Sequence, residues 1–388
     1  MPIKNRLAEL HPEITVWRRD LHANPELLYD THRTAATVAA RLREFGCDEV
    51  VEGIGRTGVV GLIRGRTDSG GHVVGLRADM DALPIYEATN LPYASVTAGK
   101  MHACGHDGHT AMLLGAAKYL AETRNFDGAV AVIFQPAEEG GAGGEAMVKD
   151  GLIERFAIKE VYGMHNMPGL PVGSFSIRPG AFYAATDTFT IDVVGKGGHA
   201  ARPHATVDTT LAAVHIVLGL QTIAARNVDP LGSIVVSVTS FRTESDAYNV
   251  IPEHVQLRGT VRTFDAAIRT LAEERLKAIA TGTAMAHGAS ANVTWQRGYP
   301  AMVNADAETA IARGVAERVS GQPALEAAAI MGGEDFAYML EACPGAYIQI
   351  GNGDTADVHH PEYDFNDAAI PYGTSYWVEL VESRMPIN

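Results

Sequence analysis

The chain has 388 residues, which at roughly 100–200 residues per domain is enough for two domains. Hydrophobic residues make up 46% and charged residues 20%, a mix that excludes global disorder. Against 46 Asp+Glu stand 31 Lys+Arg, a net charge of −15 with no basic run to offset it, so the electrostatic footprint of a nucleic-acid binder is missing and anionic membranes are disfavoured.

In chain order, residues 3–22 and 31–46 carry apolar residues three and four apart and predict two helices, the second closed by Gly46. GVVGLIRG (58–65) and HVVGLRADMD (72–81) predict buried strands. A helix follows over 108–122, then a strand running into a loop at GAVAVIFQPAEEG (128–140), and another strand at EVYGMHNMPG (160–169). Helices between buried apolar strands predict an α/β layer architecture. The pattern changes near Asp187. DTFTIDVVGKGG (187–198) alternates; 206–226 is helical; 233–241 and 254–264 are strands; 265–288 is a helix with Asp265 as its N-cap and Gly288 just beyond it; 290–296 is a strand. This β-α-β-β-α-β order predicts a ferredoxin-like α+β module over 187–296, inserted between 1–186 and 297–388. Helices at 305–320, 334–342 and 366–384 and a strand at 346–353 complete the first domain. No run approaches 18 apolar residues, so no membrane span is expected. The first twenty residues lack the apolar core of a secretory signal, and Cys47, Cys104 and Cys343 are too few for a disulfide framework; both predict a cytoplasmic protein.

Four segments bear metal-ligand chemistry. MHACGHDGHT (101–110) sets Cys104 and His106 two apart, with Gly105 allowing a tight loop between them. QPAEEGGAGG (135–144) holds Glu138 and Glu139 at a strand end, where one ligand and one base is the economical reading of adjacent carboxylates. GMHN (163–166) places His165 at a strand end, and VHHPEYDFND (358–367) offers His359 and His360. Singly, each has a bland reading: a structural histidine, or a solvated acidic loop. Convergence carries the argument, because sites in open α/β sheets gather outside the carboxyl ends of strands. His102 and His109 read as neighbours in the same loop or as groups that support its ligands, His11, His22, His72 and His287 as ordinary surface or packing histidines, and Asp107 as the cap of the following helix or a carboxylate that orients His106.

The blocks MHACGHDGHTAMLLGAAKYL, IFQPAEEGGAGG, GMHNMPGLPVG, GKGGHAARPH, MGGEDFAYM and HHPEYDFND resemble, in order and over nearly the whole chain, those of the M20 metallopeptidase family. The resemblance is to its amidohydrolase branch of hippurate hydrolases, N-acyl-amino-acid amidohydrolases and auxin-conjugate hydrolases. It implies a Zn-peptidase-like catalytic domain, with a mixed central sheet flanked by helices, and an inserted lid that dimerises. It makes Cys104, His106, Glu139, His165 and His359 the ligands of two divalent ions per subunit (Zn, Mn, Ni or Co). His359 is preferred over His360 because the branch writes its block H-x-P-x-Y-D-F-N-D, with the first histidine as ligand. Glu138 becomes the general base that takes the proton of a metal-bridged water and leaves the attacking hydroxide. The counterpart of the wider family's H-x-D segment is RAD (77–79), where Arg77 cannot bind a cation and Asp79 remains as an orienting carboxylate. His199 becomes an oxyanion donor, Asn249 a contact for the substrate carboxylate, and Glu334 a holder of a ligand or of substrate.

The resemblance thus implies a hydrolase of linear amides that cleaves N-acyl amino acids, working as a homodimer or homotetramer through the lid, with neither nucleic acid nor membrane as partner. The rivals are a dipeptidase or aminopeptidase on the same scaffold, a catalytically silent binding protein, and a structural metal protein. The retained Glu138 speaks against the second, and five ligands beside a spare glutamate against the third, since structural zinc sites are closed and tetrahedral.

Overall fold

The segments Ala129–Gln135, Val73–Asp79, Glu160–Pro168 and Gly345–Gly353 lie side by side and run parallel. The first two are buried at every residue. A parallel strand covered by helices on both faces has no solvent side, so it appears in sequence as an unbroken apolar run. In the computed structural model, which describes residues 5–387, these four strands are the middle of an eight-stranded mixed sheet. Gly58–Arg64 and then Glu49–Ile54 extend one side antiparallel. Phe175–Ile177 and Leu325–Glu326 extend the other.

The helix His106–Thr123 is buried without a break from His106 to Ala117. It packs against the helices Asn5–Ala23, His32–Phe45 and Ile370–Arg384. Phe134, Tyr162, Tyr347 and Trp377 are among the large side chains buried in this unit; cutting such an aromatic back to Ala typically costs about 3–5 kcal/mol. The shared direction of the central strands brings their carboxyl ends to one edge of the sheet. The loops that leave Asp79, Gln135, Pro168 and Gly353 all start there, with Asp79 paired in register with Gln135, and His165 with Gln349.

This larger unit comprises the chain through Gly180, Val303–Ala328, and Asp335 onward; the smaller comprises Ala181–Met302 and Ala329–Glu334. The smaller unit follows the order strand Ala185–Val194, helix Thr209–Leu220, strands Ile234–Thr243 and His254–Thr263, helix Ala266–Ala286, strand Ser290–Arg297. Its antiparallel sheet has the first and third of these strands at the centre and the second and fourth at the edges, the ferredoxin-like arrangement. Ala185–Val194 alternates because one face packs on the helices, where Phe189, Ile191 and Val193 meet Ile216, Leu276 and Ala280. The Asp265 carboxylate accepts the N–H groups of Ala267 and Ile268 and starts the second helix.

Some boundaries differ from expectation. The helix expected over 206–226 begins after Asp208, whose carboxylate caps Leu211 N–H, and stops at Leu220 before a π-turn, Ile223–Asn227. The helix expected over 334–342 is confined to Ala337–Ala342. Residues 3 and 4 of the first expected helix lie outside the described residues. Glu49–Ile54 is an exposed edge strand with no apolar run to announce it. No helix among the described residues is long and apolar enough to cross a membrane.

Candidate metal centre

Cys104 and His106 sit where the chain turns into the helix His106–Thr123. Gly105 holds φ +88°, and a side chain there would collide with the Asn166 amide and the Tyr363 hydroxyl. His106 is fully buried, and its Nδ1 lies 2.8 Å from the Asp81 carbonyl. A carbonyl only accepts, so Nδ1 keeps its proton, and Nε2 is the ring nitrogen whose lone pair is left for an ion in the neutral imidazole. That Nε2 is buried with no hydrogen-bond partner among the described residues. A desolvated lone pair without a donor costs about 1–3 kcal/mol, and its natural partner is a cation.

His165 has the same design: Nδ1 donates to the Asn166 carbonyl at 2.6 Å, and Nε2 lies 3.3 Å from Cys104 Sγ. Glu139 Oε1 lies 3.3 Å from His359 Nε2. His359 has φ +66°, a left-handed conformation of a non-glycine residue that costs of order 1–3 kcal/mol, and its N–H is tied to the Ala103 carbonyl at 2.7 Å. Donor atoms of Cys104, His106 and His165 lie within 4.8 Å of one another, as do those of Cys104, Glu139 and His359, and those of His106, Glu138 and Glu139. Cys104 belongs to two of these sets, so one thiol stands between two groups of donors.

The electrostatics agree. Burial pushes the Cys104 thiol up, against the pull of His106. Burial also works against ionised Glu139, but His359 and His106 outweigh it and hold the carboxyl below its usual range. Hydrogen bonds to Cys104 and Glu139 raise His359 to about 10. A cation entering here replaces protons on groups already arranged as donors. The orphaned lone pair and the mixed S, N and O donor set fit divalent metal.

Glu138 is buried, and its backbone N–H donates to Asp81 Oδ1 at 2.9 Å; the N–H of Glu139 donates to Asp81 Oδ2 at 3.1 Å. Gly143 lets the following loop fold back, since a side chain there would strike the Pro136 carbonyl. Asp79 is fully buried. Its Oδ1 receives His109 Nδ1 at 2.6 Å and its Oδ2 receives Arg77 Nη1 at 2.7 Å, while His106 Nε2 is 3.7 Å away. Arg77 also reaches Gln135 Oε1 at 2.8 Å and Asp335 Oδ1 at 3.1 Å.

The structure therefore brings Asp79, Cys104, His106, Glu138, Glu139, His165 and His359 into the larger unit at one sheet edge. His199, Asn249 and Glu334 belong to the smaller unit. There, Gly198–His199 pairs with Val250–Ile251, and Ala200 N–H donates to the Asn249 carbonyl at 2.9 Å, so exposed His199 and Asn249 share one short ribbon. Glu334 is buried. Two expectations fail. Asp107 does not cap the helix: Gly105 occupies the cap, and Asp107 accepts His22 Nδ1 at 2.8 Å and lies 3.4 Å from Arg18 Nη1. His22 is not an ordinary packing histidine but a fully buried partner in that ionic cluster. His109 stands, as expected, beside the donors as a supporting group, hydrogen-bonded to Asp79; Asp81, Asn166 and Tyr363 were not singled out in the sequence, although each stands inside a quoted block.

Residues 75–383 match Peptidase family M20/M25/M40. The chain is 41% identical over 377 residues to hippurate hydrolase of Campylobacter jejuni, covering 96% of this chain and 97% of that one. It is 40% identical over 383 residues to N-acetyl-L-cysteine deacetylase of Bacillus subtilis, covering 98% and 90%. Among solved structures, the YXEP protein of Bacillus subtilis, described as a dinuclear metal binding peptidase from the M20 family, superposes with a TM-score of 0.86 at 35% identity, covering 97% of this chain and 99% of that one. The chain belongs to peptidase family M20/M25/M40, in its amidohydrolase branch, and is a hydrolase of linear amides.

Proposed function

We propose that the protein is a two-metal amidohydrolase that cleaves N-acyl amino acids to a carboxylic acid and a free amino acid. The observation that carries this reading is the double membership of Cys104, whose thiol lies within reach of His106 and His165 on one side and of Glu139 and His359 on the other. Those five residues would hold the ions. A pair of divalent ions, when bound, supplies Lewis acidity that polarises a carbonyl and acidifies water. Zn, Mn, Co and Ni all suit a thiolate–imidazole–carboxylate set.

The chain's own residues supply the proton chemistry. Glu138 takes the proton of the attacking water on a carboxylate oxygen and returns it to the leaving amine. Asp81 holds the backbone at Glu138 and Glu139, so base and ligand keep their spacing. Asp79 orients His109 and is itself neutralised by Arg77. His199 donates to the developing oxyanion, Asn249 meets the substrate carboxylate, and Glu334 contributes to holding substrate. The smaller unit acts as lid and pairing surface of a homodimer or homotetramer. The outward stripe Leu211, Val214 and Leu218 on its helix Thr209–Leu220 supports this, being 50%, 43% and 61% exposed. Three cysteines that form no disulfide suit the cytoplasm.

The relatives named for N-acyl amino acid substrates support this substrate class over free peptides. The test is a panel of hippurate, N-acetyl amino acids and free dipeptides, assayed after reconstitution with each metal. Turnover confined to dipeptides would overturn the substrate class.

A further inference from the structure

Asn166 follows His165 on the strand Glu160–Pro168 and is 1% exposed. Its side-chain N–H donates to the Cys104 carbonyl at 2.6 Å, and its side-chain carbonyl accepts the Tyr363 hydroxyl at 2.7 Å. Its backbone N–H donates to His109 Nε2 at 2.9 Å, with the side-chain nitrogen 3.2 Å from the same atom. Its backbone carbonyl accepts His165 Nδ1 at 2.6 Å. The residue thus joins the loop before the long helix, that helix itself, its own strand, and the loop that carries His359.

Two tautomers follow. A backbone N–H can only donate, so His109 Nε2 accepts and the His109 proton sits on Nδ1, where it meets Asp79 Oδ1. A backbone carbonyl can only accept, so the His165 proton sits on Nδ1 and its Nε2 lone pair faces Cys104 Sγ. At Gly105, any side chain would collide with both the Asn166 amide and the Tyr363 hydroxyl, so the loop closes directly on this knot. A primary amide suits the position because one short branch carries both a donor and an acceptor. Aspartate would set an oxygen against the Cys104 carbonyl, and leucine would leave that carbonyl and the Tyr363 hydroxyl unmatched.

We propose that Asn166 is a positioning residue of the metal centre: it registers Cys104, His165 and the His359 loop against one another, so that their donor atoms converge before any ion arrives. This rests on the ligand assignment made above. Asn166 itself touches no ion. The supporting logic is general: partners that hold the far side of a ligand fix its orientation and basicity.

The test loads wild type and Asn166→Asp with cobalt(II) and reads the cobalt dissociation constant and the thiolate-to-cobalt charge-transfer absorption in the near ultraviolet. Asn166→Asp keeps both backbone hydrogen bonds and an acceptor for Tyr363, and replaces by an oxygen the side-chain nitrogen that faces the Cys104 carbonyl and His109 Nε2. We expect cobalt to bind about 10–100-fold more weakly, with an altered thiolate band. A merely structural role would lower thermal stability and leave that band where it is. Wild-type affinity and an unchanged band would overturn the proposal. Should Asn166→Asp fail to fold, Tyr363→Phe decides instead, because it removes one hydroxyl and keeps the ring; it should weaken cobalt in the same direction. Cys104→Ser, run in parallel, separates the two readings. A band that survives Cys104→Ser overturns the thiolate ligand and this proposal with it, whereas a band lost there yet unchanged in Asn166→Asp overturns the positioning role alone.

Discussion

The backbone N–H of Glu138 donates to Asp81 Oδ1 at 2.9 Å, although the two residues are 57 apart in sequence. The second carboxylate oxygen takes the N–H of Glu139, and the Asp81 carbonyl takes His106 Nδ1. One residue thus braces the proposed base and two proposed ligands. Asp81→Asn keeps the shape but turns an amide N–H₂ toward one of the two donors. A buried donor left without an acceptor costs about 1–3 kcal/mol, and a displacement near 1 Å at a reacting group can cost about 10²-fold in rate. The expected outcome is kcat reduced by about 10–100-fold with KM little changed, measured on metal-saturated enzyme. Unchanged kcat would remove Asp81 from the positioning of Glu138.

Glu138→Gln should retain metal and lose turnover. The amide cannot accept a proton from water, yet the backbone hydrogen bond to Asp81 is kept. General acid–base roles contribute typically 10²–10⁴-fold, so kcat should fall by about that factor or more, while elemental analysis still finds two ions per chain. Near-normal turnover would show that another group moves the proton.

How legible the site is in the sequence depends on what each residue does. Donors are legible because they are ligand residue types gathered in loops and at strand ends: Cys104 and His106 two apart around a glycine before a helix, Glu138 and Glu139 together, His165 after an apolar run. The parallel core is legible because strands such as Ala129–Gln135 are apolar throughout. The braces are not. Asp81 and Asn166 are polar residues in loops or at element ends, and what distinguishes them is a partner tens of residues away; His109 stands out only as one more histidine of a crowded loop. Asp107 misleads for the same reason. An acid at the start of a helix reads as a cap, but here the turn is made by Gly105, and the carboxylate is taken up by His22 and Arg18 from the first helix. Short strands such as Phe175–Ile177 and Leu325–Glu326 carry too few residues for any periodicity to show.

Cys104→Ser should convert the enzyme to one that depends on added metal. A hydroxyl is a far poorer ligand than a thiolate, and this thiol is shared by both donor sets. The loss of affinity should exceed the about 10–100-fold typical of losing a residue that only supports a ligand. Metal content after dialysis against chelator, with activity recovered on adding excess Zn or Mn, is the measurement. Full metal content in the dialysed variant would exclude the thiolate from the centre.

The cluster behind the metal loop predicts a pH dependence of stability. Burial alone would lower the pKa of His22, but hydrogen bonds to Asp107 and Glu87 outweigh it and raise it from 6.5 to about 9. Asp107, held well below the usual carboxylate range against its own burial, stays ionised throughout this window. Because the folded-state value is the higher one, the proton on His22 stabilises the native state fully below pH 6.5. That stabilisation fades as pH rises from there through about 9. The raise corresponds to about 3 kcal/mol at most. His22→Gln removes the titration while leaving a side chain able to hydrogen-bond. The gap in unfolding free energy between wild type and His22→Gln should therefore be widest near pH 6 and shrink steadily toward pH 9.5, read by denaturant unfolding of the metal-loaded proteins at fixed ionic strength. A gap that stays constant across that range would show that His22 is held neutral in the native state, and that Arg18 alone balances Asp107.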